Sequence, residues 1–416
     1  MTDARQPWQR GVAILTAIYI TRMLGLFMIF PVFSLYANEL AGANKTLVGI
    51  ALGIYGLSQG LLQIPCGWLS DRYGRKPVIA GGLALFTAGS LLAACATSIE
   101  MMIVARAVQG MGAIAAVALA YATDITPPEK LGKTMTILGA SIGIAFVLSL
   151  ILGPLLAGWV GVAGLFALIA LMAAAALVAG LRLPDATYPV TRRDEYQRKP
   201  IYQAAATIFT LHAIFTATFL VLPPLIVAGG IDKTHHWWLY LPANLIALAC
   251  MRPKNRPHPL TFGVNYLILA AGAALLAVPI TSTAWLLFAL SVYFIAFYRL
   301  ESGLPHWVAQ NAAPDSRGKA MGIYSSAQFI GSFSGGAIGG RLWQNQSPGV
   351  VLTALAIASA VAALMNGPLP RVRPGRPDRR PRPRSETLRR RRPPPGSRNP
   401  PRPPPASRPP APARRR

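Results

Sequence analysis

Charged residues are scarce in this sequence, and acidic residues are scarcer still. Only 13% of the 416 residues are Asp, Glu, Lys or Arg, and 14 residues are acidic, whereas 53% are hydrophobic. In a soluble globular protein of ordinary composition, about a quarter of all residues are charged. The composition therefore excludes a soluble protein and indicates an integral membrane protein.

Cysteines and the motifs of soluble enzymes are also few. Cys66, Cys95 and Cys250 all lie in apolar runs without metal-ligand spacing, which favours an interpretation as small core hydrophobes. The sequence has no glycine-rich phosphate loop, no metal-spaced Cys/His cluster and no nucleophile triad. We therefore expect that the protein is not an enzyme and needs no cofactor.

Apolar runs long enough to cross a bilayer recur twelve times. About 20 helical residues span the hydrocarbon core. The runs lie near residues 12–37, 46–67, 78–97, 101–123, 134–158, 162–183, 201–228, 235–251, 260–280, 284–309, 319–341 and 349–369. We number them spans 1 to 12. Span 8 is short, since its apolar part of roughly 15 residues covers only about 22 Å; either the span is truly short or residues are missing there.

A repeated motif divides the spans into two sets of six. Pro128-Glu129-x-x-Gly132-Lys133-x-Met135 before span 5 reappears as Pro314-Asp315-x-x-Gly318-Lys319-x-Met321 before span 11. The predicted fold is all-α, with twelve transmembrane helices in two pseudo-symmetric halves related by an axis along the membrane normal. The predicted divisions are a first half at residues 1–183, a cytoplasmic connector at 184–200, a second half at 201–370 and a disordered tail at 371–416.

The net charge of +26 is unevenly distributed. The tail carries 17 Arg against two acidic residues, which leaves +11 for residues 1–370. Most of the other cations lie in the N-terminus and in alternate loops, so the positive-inside rule predicts that both termini are cytoplasmic. The tail itself is compatible with an inert extension, with a contact to anionic lipid or nucleic acid, or with GC-rich DNA translated out of frame, and we favour the last.

One short stretch between spans 2 and 3 carries a dense set of charges and glycines. It reads Gly67-Trp68-Leu69-Ser70-Asp71-Arg72-Tyr73-Gly74-Arg75-Lys76. Glycine allows a tight turn and close helix approach, and an acidic side chain suits a helix N-terminus. The simpler alternative is an ordinary positive-inside cluster. The spacing favours a turn that acts as a latch.

This stretch resembles the signature loop of the major facilitator superfamily, and the chain looks most similar to its YajR-type members, a proton-linked group often described as drug exporters. Further matching stretches run from Arg22 to Pro31, from Gly53 to Gln59, from Arg106 to Gly110 and from Met321 to Phe329. The resemblance implies that Asp71 caps span 11 in the outward-facing state and that Arg75 bridges Asp71 to Asp124. The implied latch comprises Gly67, Asp71, Arg72, Gly74, Arg75, Lys76 and Asp124. The Arg/Pro tail departs from the family, whose YajR-type members carry a small α/β domain there.

Ionisable residues inside spans are costly and usually serve a function. Glu301 is a carboxylate deep within span 10, and a carboxyl between apolar walls can cycle protons. His212 titrates near neutral pH when unperturbed. We therefore name both as proton-coupling candidates. The alternatives are an ion pair of Glu301 with Arg299 or Arg22, and a hydrogen-bonded core histidine at 212.

The remaining candidates would line a substrate cavity between the halves: Arg22, Phe27, Arg106, Gln109, Phe215 and Tyr324. The arginines suit an anionic substrate group or a proton-site carboxylate, and the aromatic rings suit an apolar or cationic solute. Span 5 carries Gly139, Gly143, Gly153 and Gly158, which suit close packing and a bend, although glycine is common in membrane helices.

These features together predict a monomeric, proton-coupled secondary transporter of the bacterial inner membrane that works by alternating access. Its expected partners are a small-molecule substrate, protons and the lipid bilayer, without nucleic acid. Export by proton antiport is the favoured mode. The alternatives are a facilitator or proton symporter that imports a nutrient and, more remotely, a membrane-anchored binder that acts through the basic tail.

Overall fold

The computed structural model of the chain describes residues 7–184, 198–251, 259–279, 282–312 and 316–366. Most of the predicted connector, the whole predicted tail and the Pro314-Asp315 pair of the repeat lie outside the described residues.

Helices make up nearly all of the described chain, and no strand is present in these ranges. In chain order they are α1 (Pro7–Phe27), α2 (Phe33–Tyr36), α3 (Lys45–Tyr73), α4 (Arg75–Ala94), α5 (Ile99–Met111), α6 (Ala115–Ile125), α7 (Leu131–Gly180), α8 (Arg198–Ala228), α9 (Trp237–Ala249), α10 (Pro259–Ala277), α11 (Thr283–Gln310), α12 (Arg317–Asn345) and α13 (Pro348–Met365).

These thirteen helices form twelve spans. Helices α1 and α2 together make span 1, α5 and α6 make span 4, and α7 contains spans 5 and 6. The chain reverses within α7 at Gly161, whose φ of 67° lies in the left-handed region that glycine adopts readily. The predicted all-α membrane fold is confirmed. Helix α9 has 13 residues and covers about 20 Å, so span 8 is short.

Span 4 is interrupted where the sequence predicted a continuous helix. The break lies between Met111 and Ala115, where α5 ends and α6 begins. A Cβ atom at Gly112 would lie 2.4 Å from the Gly82 carbonyl oxygen of α4, and one at Gly110 would lie 2.3 Å from the Tyr55 carbonyl oxygen of α3. The helix is thus held against two neighbours by glycines, and the span predicted at residues 101–123 is present but consists of two helices.

The charged stretch at residues 67–76 is mostly helical rather than a free loop. Helix α3 continues to Tyr73 and α4 begins at Arg75, so Gly74 alone joins them. Its φ of 93° favours glycine. We call this end of the bundle the Asp71 end. The opposite end, where α2 leads into a 3-10 turn at Ala37–Glu39, is the Glu39 end.

Helix α12 is the central packing element, because it contacts α3 on one side and α8 on the other. Against α3, a Cβ atom at Gly336 would lie 2.4 Å from the Gly49 carbonyl oxygen, and one at Gly56 would lie 2.4 Å from the Phe329 carbonyl oxygen. Against α8, a Cβ atom at Gly335 would lie 2.0 Å from the Ala213 carbonyl oxygen. Such backbone-to-backbone contact is typical of small residues in membrane helices.

This contact joins the first helix group, α1–α7, to the second, α8–α13, only toward the Glu39 end. Toward the Asp71 end, ideal Cβ positions at Gly67 of α3 and at Gly318 and Gly322 of α12 meet no atom within 4 Å. Helix α7 repeats the pattern, since Gly158 lies against Thr234 whereas Gly143 has no such neighbour. The glycine contacts between the two groups therefore lie toward the Glu39 end.

Close packing was predicted for four glycines of span 5, and it is found at Gly153 and Gly158 but not at the other two. Gly139 and Gly143 have open space beside them, while Gly153 lies against the Met28 carbonyl oxygen. The helix with the densest glycine contacts is α12, which the sequence analysis did not single out.

Replacement of Gly56 by Ala is expected to lower the thermal stability of the protein in detergent. The new methyl group would meet the backbone of α12, and overpacking of this kind costs about 1–3 kcal/mol. Gly143→Ala is the matched control, because its methyl group meets open space and alanine has the better helix propensity. Equal melting temperatures for the two variants would contradict this packing.

Candidate functional site

Arg75 lies between two carboxylates at the Asp71 end. Its Nε donates to Asp124 Oδ2 at 2.9 Å, and its Nη1 contacts the Asp71 carboxylate one helical turn earlier in the chain. The same nitrogen donates to the Ser70 hydroxyl. Arg75 and Asp124 are largely buried, whereas the Asp71 side chain is 34% exposed. Three of the predicted latch residues, Asp71, Arg75 and Asp124, therefore form one network that ties α3, α4 and α6 together.

The other latch residues surround this network. Gly74 makes the corner, and the guanidinium of Arg72 lies 5.7 Å from the Trp68 ring centre and 5.5 Å from that of Tyr73. Gly67 lies one turn before Asp71 on the open side of α3. The cap that Asp71 is predicted to place on span 11 stays a prediction.

The two proton-coupling candidates are in direct contact. His212 Nε2 on α8 lies 3.0 Å from Glu301 Oε2 on α11. Gln328 on α12 completes the group, with its Nε2 donating to Glu301 Oε1 at 2.9 Å and lying 2.8 Å from His212 Nε2. The Glu301 side chain is 31% exposed and that of His212 is 8% exposed. Three helices of the second group thus meet at one titratable cluster, which we call the His–Glu–Gln cluster.

The ion pairs considered as alternatives for Glu301 are not those of this arrangement. Arg299 donates from Nη2 to the Cys250 carbonyl oxygen at 3.3 Å. Cys250 is the C-terminal cap of α9, where a cation interacts favourably with the helix dipole. Arg22 lies in the first helix group and binds other side chains.

Arg22 and Arg106 are both buried within the first helix group. Arg22 Nη2 donates to the Tyr55 hydroxyl at 3.2 Å and to Gln59 Oε1 at 3.1 Å. Arg106 contacts Gln109 Oε1 through Nη1 and lies 5.0 Å from the Tyr55 ring centre. Tyr55 therefore stands between the two guanidinium groups, which are 2% and 0% exposed as residues.

The cavity aromatics fall into two environments. Phe215 belongs to a cluster that joins the two helix groups, with ring centres 5.3 Å from Phe30 and 4.7 Å from Phe297. Phe27 extends the cluster through Phe146, at 4.9 Å. His212 lies at its edge, 5.9 Å from Phe215. This aromatic cluster therefore borders the His–Glu–Gln cluster.

Tyr324 is buried on α12 one turn before Gln328, and its hydroxyl has no hydrogen-bond partner among the described residues. Such a free buried hydroxyl beside a titratable group is a further candidate to receive a substrate polar atom.

Several residues of these sites escaped the sequence analysis. Gln328, Tyr55, Gln59 and Phe146 were not named as site residues, although the first three lie in stretches that resemble the family. Neutral polar residues and phenylalanines are ordinary in membrane helices, so composition does not distinguish them. One signal was present for Gln328, because it lies in a span within the stretch Met321–Phe329 that resembles the family.

Twelve spans in two helix groups, joined through α3 and α12, form the architecture of a membrane transporter. A family model described as the Major Facilitator Superfamily matches residues 15–336. The inner membrane transport protein YajR of Escherichia coli is 35% identical over 391 residues, which cover 88% of this chain and 84% of that protein.

Two more distant similarities agree in fold. Multidrug resistance protein MdtH of Aeromonas hydrophila is 26% identical over 77% of this chain and 84% of its own length. The crystal structure of the nucleoside transporter NupG matches with a TM-score of 0.68 at 15% identity, covering 86% of this chain and 98% of that one. The chain belongs to the major facilitator superfamily, whose members are transporters and not enzymes.

Substitutions at Arg75 and Asp124 are expected to be coupled. Arg75→Gln leaves two carboxylates without their shared cation, and Asp124→Asn removes one of them. Each should lower the free energy of unfolding, and the double variant should lose less than the sum, with an interaction of about 0.5–3 kcal/mol for groups in one network. Thermal and denaturant unfolding in detergent measure this coupling.

Arg72→Gln is the control for that cycle, because Arg72 belongs to the same stretch but lies over aromatic rings. An exposed cation–π contact is worth only about 0.5–1 kcal/mol. Strict additivity of Arg75→Gln and Asp124→Asn would show that the network contributes no coupling energy.

Proposed function

We propose that the protein is a proton-coupled secondary transporter that exports small molecules by proton antiport, and that the His–Glu–Gln cluster is its proton site. The observation that carries this proposal is the contact of both titratable candidates with α12. That helix also forms the glycine contact between the two helix groups. In this proposal, protonation is thereby linked to the helix that joins the two groups.

The geometry of the cluster supports a proton shared between His212 and Glu301. The Gln328 amide nitrogen faces both partners, so one of its hydrogens goes to Glu301 Oε1 and the other points to His212 Nε2. A neutral imidazole nitrogen has one lone pair, so His212 Nε2 can accept either from the Gln328 amide or from a protonated Glu301 carboxyl, whose Oε2 lies 3.0 Å away. A proton between Glu301 and His212 therefore competes with Gln328 for the same nitrogen.

Transfer of that proton to His212 changes the contact with α12. An imidazole Nε2–H facing the Gln328 amide N–H₂ places two donors together, and rotation of the amide places its oxygen against the Glu301 carboxylate. Either arrangement is unfavourable, so Gln328 has to move. We infer that loss or gain of the proton shifts α12 relative to α8 and α11.

The Glu39 end supplies the opposing gate. Lys233 Nζ lies 3.9 Å from Glu39 Oε1 and 4.2 Å from the Tyr36 ring centre. The Lys45 backbone N–H donates to Gln344 Oε1 at 2.9 Å. These are exposed polar contacts that break at small cost. They suit a gate that opens when the Asp71 end closes.

The loop that carries Lys233 is held by a local turn. Asp232 accepts hydrogen bonds from the Thr234 backbone N–H at 2.8 Å and from the Thr234 hydroxyl at 2.6 Å. These bonds lower the pKa of the Asp232 carboxyl, which stays ionised at neutral pH. A charged Asp232 next to Lys233 keeps this gate polar.

Alternating access in this proposal places the Asp71 end in the cytoplasm, as the positive-inside rule predicts. The glycine contacts between the helix groups then lie toward the outside, and in this proposal the carrier loads substrate for export from the Asp71 end. A proton entering down a potential of about 100 mV releases about 2.3 kcal/mol, apart from the pH term. That energy drives the return of the carrier with its proton bound.

Glu301→Gln is expected to abolish substrate-dependent proton movement. Proteoliposomes with a pH dye inside would receive gradients of benzenesulfonate, benzenesulfonamide or benzyltrimethylammonium, which are an anionic, a neutral and a cationic probe. The amide keeps the shape of the side chain but carries no titratable proton. Glu100→Gln, a carboxylate at the start of α5 outside the cluster, is the matched control and should retain coupling.

Proton movement in Glu301→Gln equal to that of the parent protein would exclude this carboxyl as the coupling site. Uptake that rises with an inward proton gradient would establish an importer in place of an exporter. Loss of all activity on removal of residues 371–416 would favour the membrane-anchored binder.

Orientation is tested with the native cysteines. Cys95 caps α4 at the Glu39 end and is exposed. In a Cys66→Ser/Cys250→Ser background we expect an impermeant maleimide to label Cys95 in intact cells. A cysteine-free chain carrying Lys130→Cys at the Asp71 end should be labelled only after permeabilisation, and the reverse result would invert the topology.

A further inference from the structure

His236 is a buried titratable residue that the proposed mechanism does not use. It is 0% exposed and lies in the loop that joins α8 to α9 at the Glu39 end. Neither of its ring nitrogens has a hydrogen-bond partner of normal geometry among the described residues. Buried polar groups nearly always have such a partner, so an exception of this kind requires an explanation.

The loop around His236 crosses from the second helix group to the first. We call residues 232–236 the gate loop. It carries Lys233, whose contacts with the first helix group are described above. The Thr234 side chain lies against α7, where a Cβ atom at Gly158 would be 2.7 Å from the Thr234 methyl group. His236 therefore lies at the base of the loop that closes the Glu39 end.

His236 also fixes the start of α9. Its carbonyl oxygen accepts hydrogen bonds from the backbone N–H groups of Leu239 at 3.0 Å and Tyr240 at 3.1 Å. The imidazole centre lies 6.2 Å from the centre of the buried Tyr240 ring. The ring cannot leave this site without a shift of the first turn of α9, so its position and the conformation of the gate loop are linked.

The helices that pack against the gate loop provide no carboxylate for a charged imidazole. Helices α7, α8 and α9 contact its 3-10 turn. The stretches on that side, residues 151–165, 220–228 and 237–249, contain no charged side chain, and Tyr240 is the only titratable group in them. The N-terminus of α9 carries the positive end of the helix dipole, which disfavours a cation there.

Five further charged or titratable groups lie within the gate loop or contact it: Asp232, Lys233, His235, Glu39 and Tyr36. The Glu39 carboxylate already faces the Lys233 ammonium, and the Asp232 carboxylate accepts two hydrogen bonds from Thr234. Burial lowers the pKa of His236 to about 4, and a nearby backbone carbonyl and Asp232 offset part of this effect. The neutral ring is therefore the stable form in the closed loop.

Acid acts against the closed gate loop for this reason. In a released loop, where water reaches the ring, a histidine titrates near its ordinary pKa of about 6.5. The released loop therefore takes up a proton at a higher pH than the closed loop does. The closed loop has its full stability above about pH 6.5 and loses stability as the pH falls toward the lowered pKa of His236.

We propose that His236 is an acid-sensitive switch, and that its protonation releases the gate loop from the first helix group. The Glu39 end faces the outside in the proposed orientation, so the carrier would open outward where protons are abundant. That physiological sense rests on the proposed function, whereas the opening itself is measurable on the purified protein without transport.

The test is the distance between the helix groups at the Glu39 end, measured by pulsed electron spin resonance on the full-length protein in detergent. Spin labels are attached in a cysteine-free chain at Glu100→Cys of α5 and Ala228→Cys of α8, two exposed positions at this end. The ratio of open to closed protein should rise about tenfold between pH 7.5 and pH 5.5, because a released histidine gains its proton in this range.

His236→Phe keeps a planar ring but cannot take up a proton, so its ratio should be the same at both pH values. His235→Gln is the matched control, because His235 is the neighbouring histidine but is exposed, and it should keep the tenfold rise. If His236→Phe does not fold, His236→Gln also removes the titration and should also lose the rise. A rise that persists without His236, that disappears in His235→Gln or that is absent from the parent protein would overturn the proposal.

Glu301→Gln separates this inference from the proposed function. The variant should keep the acid response of the gate loop while it loses substrate-dependent proton movement, because Glu301 belongs to the His–Glu–Gln cluster and not to the Glu39 end. Loss of the acid response in this variant would assign that response to the cluster and overturn the switch at His236. An acid response without any substrate-dependent proton movement in the parent protein would support the switch and refute the antiport mechanism alone.

Discussion

Backbone contact between α12 and its two neighbours is the interaction on which the other features depend. Lipid chains are as apolar as leucine, so membrane helices associate through close packing rather than through water exclusion. Gly336 meets α3 and Gly335 meets α8 at distances that no side chain permits. The two helix groups are therefore joined through glycines of α3 and α12 whose backbones touch, and these contacts lie toward the Glu39 end.

The His–Glu–Gln cluster and the Arg75 network lie on the helices that make this contact or beside them. Gln328 lies two turns before Gly335 on α12, so any shift of that helix changes its contacts with His212 and Glu301. The Arg75 network lies at the end of α3 where the contact with α12 has ended. In the proposed mechanism, the His–Glu–Gln cluster couples protonation to α12, and the Arg75 network supplies charges that could hold the Asp71 end closed.

The sequence predicted much of this arrangement but not the partners within it. Twelve apolar runs located the spans, because length and hydropathy alone determine a membrane crossing. His212 and Glu301 stood out as ionisable residues in apolar surroundings, yet their separation by 89 positions hides the contact between them. Gln328 was not predicted, because a neutral amide lacks the high cost of membrane insertion that makes an ionisable residue stand out in a span.

Glycines show most clearly where sequence reasoning stops. Gly143 of span 5 and Gly56 of span 2 occupy similar apolar helices, and only the neighbouring helix distinguishes open space from contact with a carbonyl oxygen. The break of span 4 has the same origin, because Gly110 and Gly112 permit contacts with two helices at once. Facing surfaces belong to the tertiary structure, and no local periodicity encodes them.

The carboxyl of Glu301 in the proposed proton site has an electrical consequence. In the proposed exchange, one proton enters for each molecule that leaves, so with a neutral substrate one elementary charge moves in the direction that an interior-negative membrane favours. That charge is worth about 2.3 kcal/mol per 100 mV. The carrier would then be driven by voltage as well as by pH, and would keep working in surroundings too alkaline to sustain a proton concentration gradient.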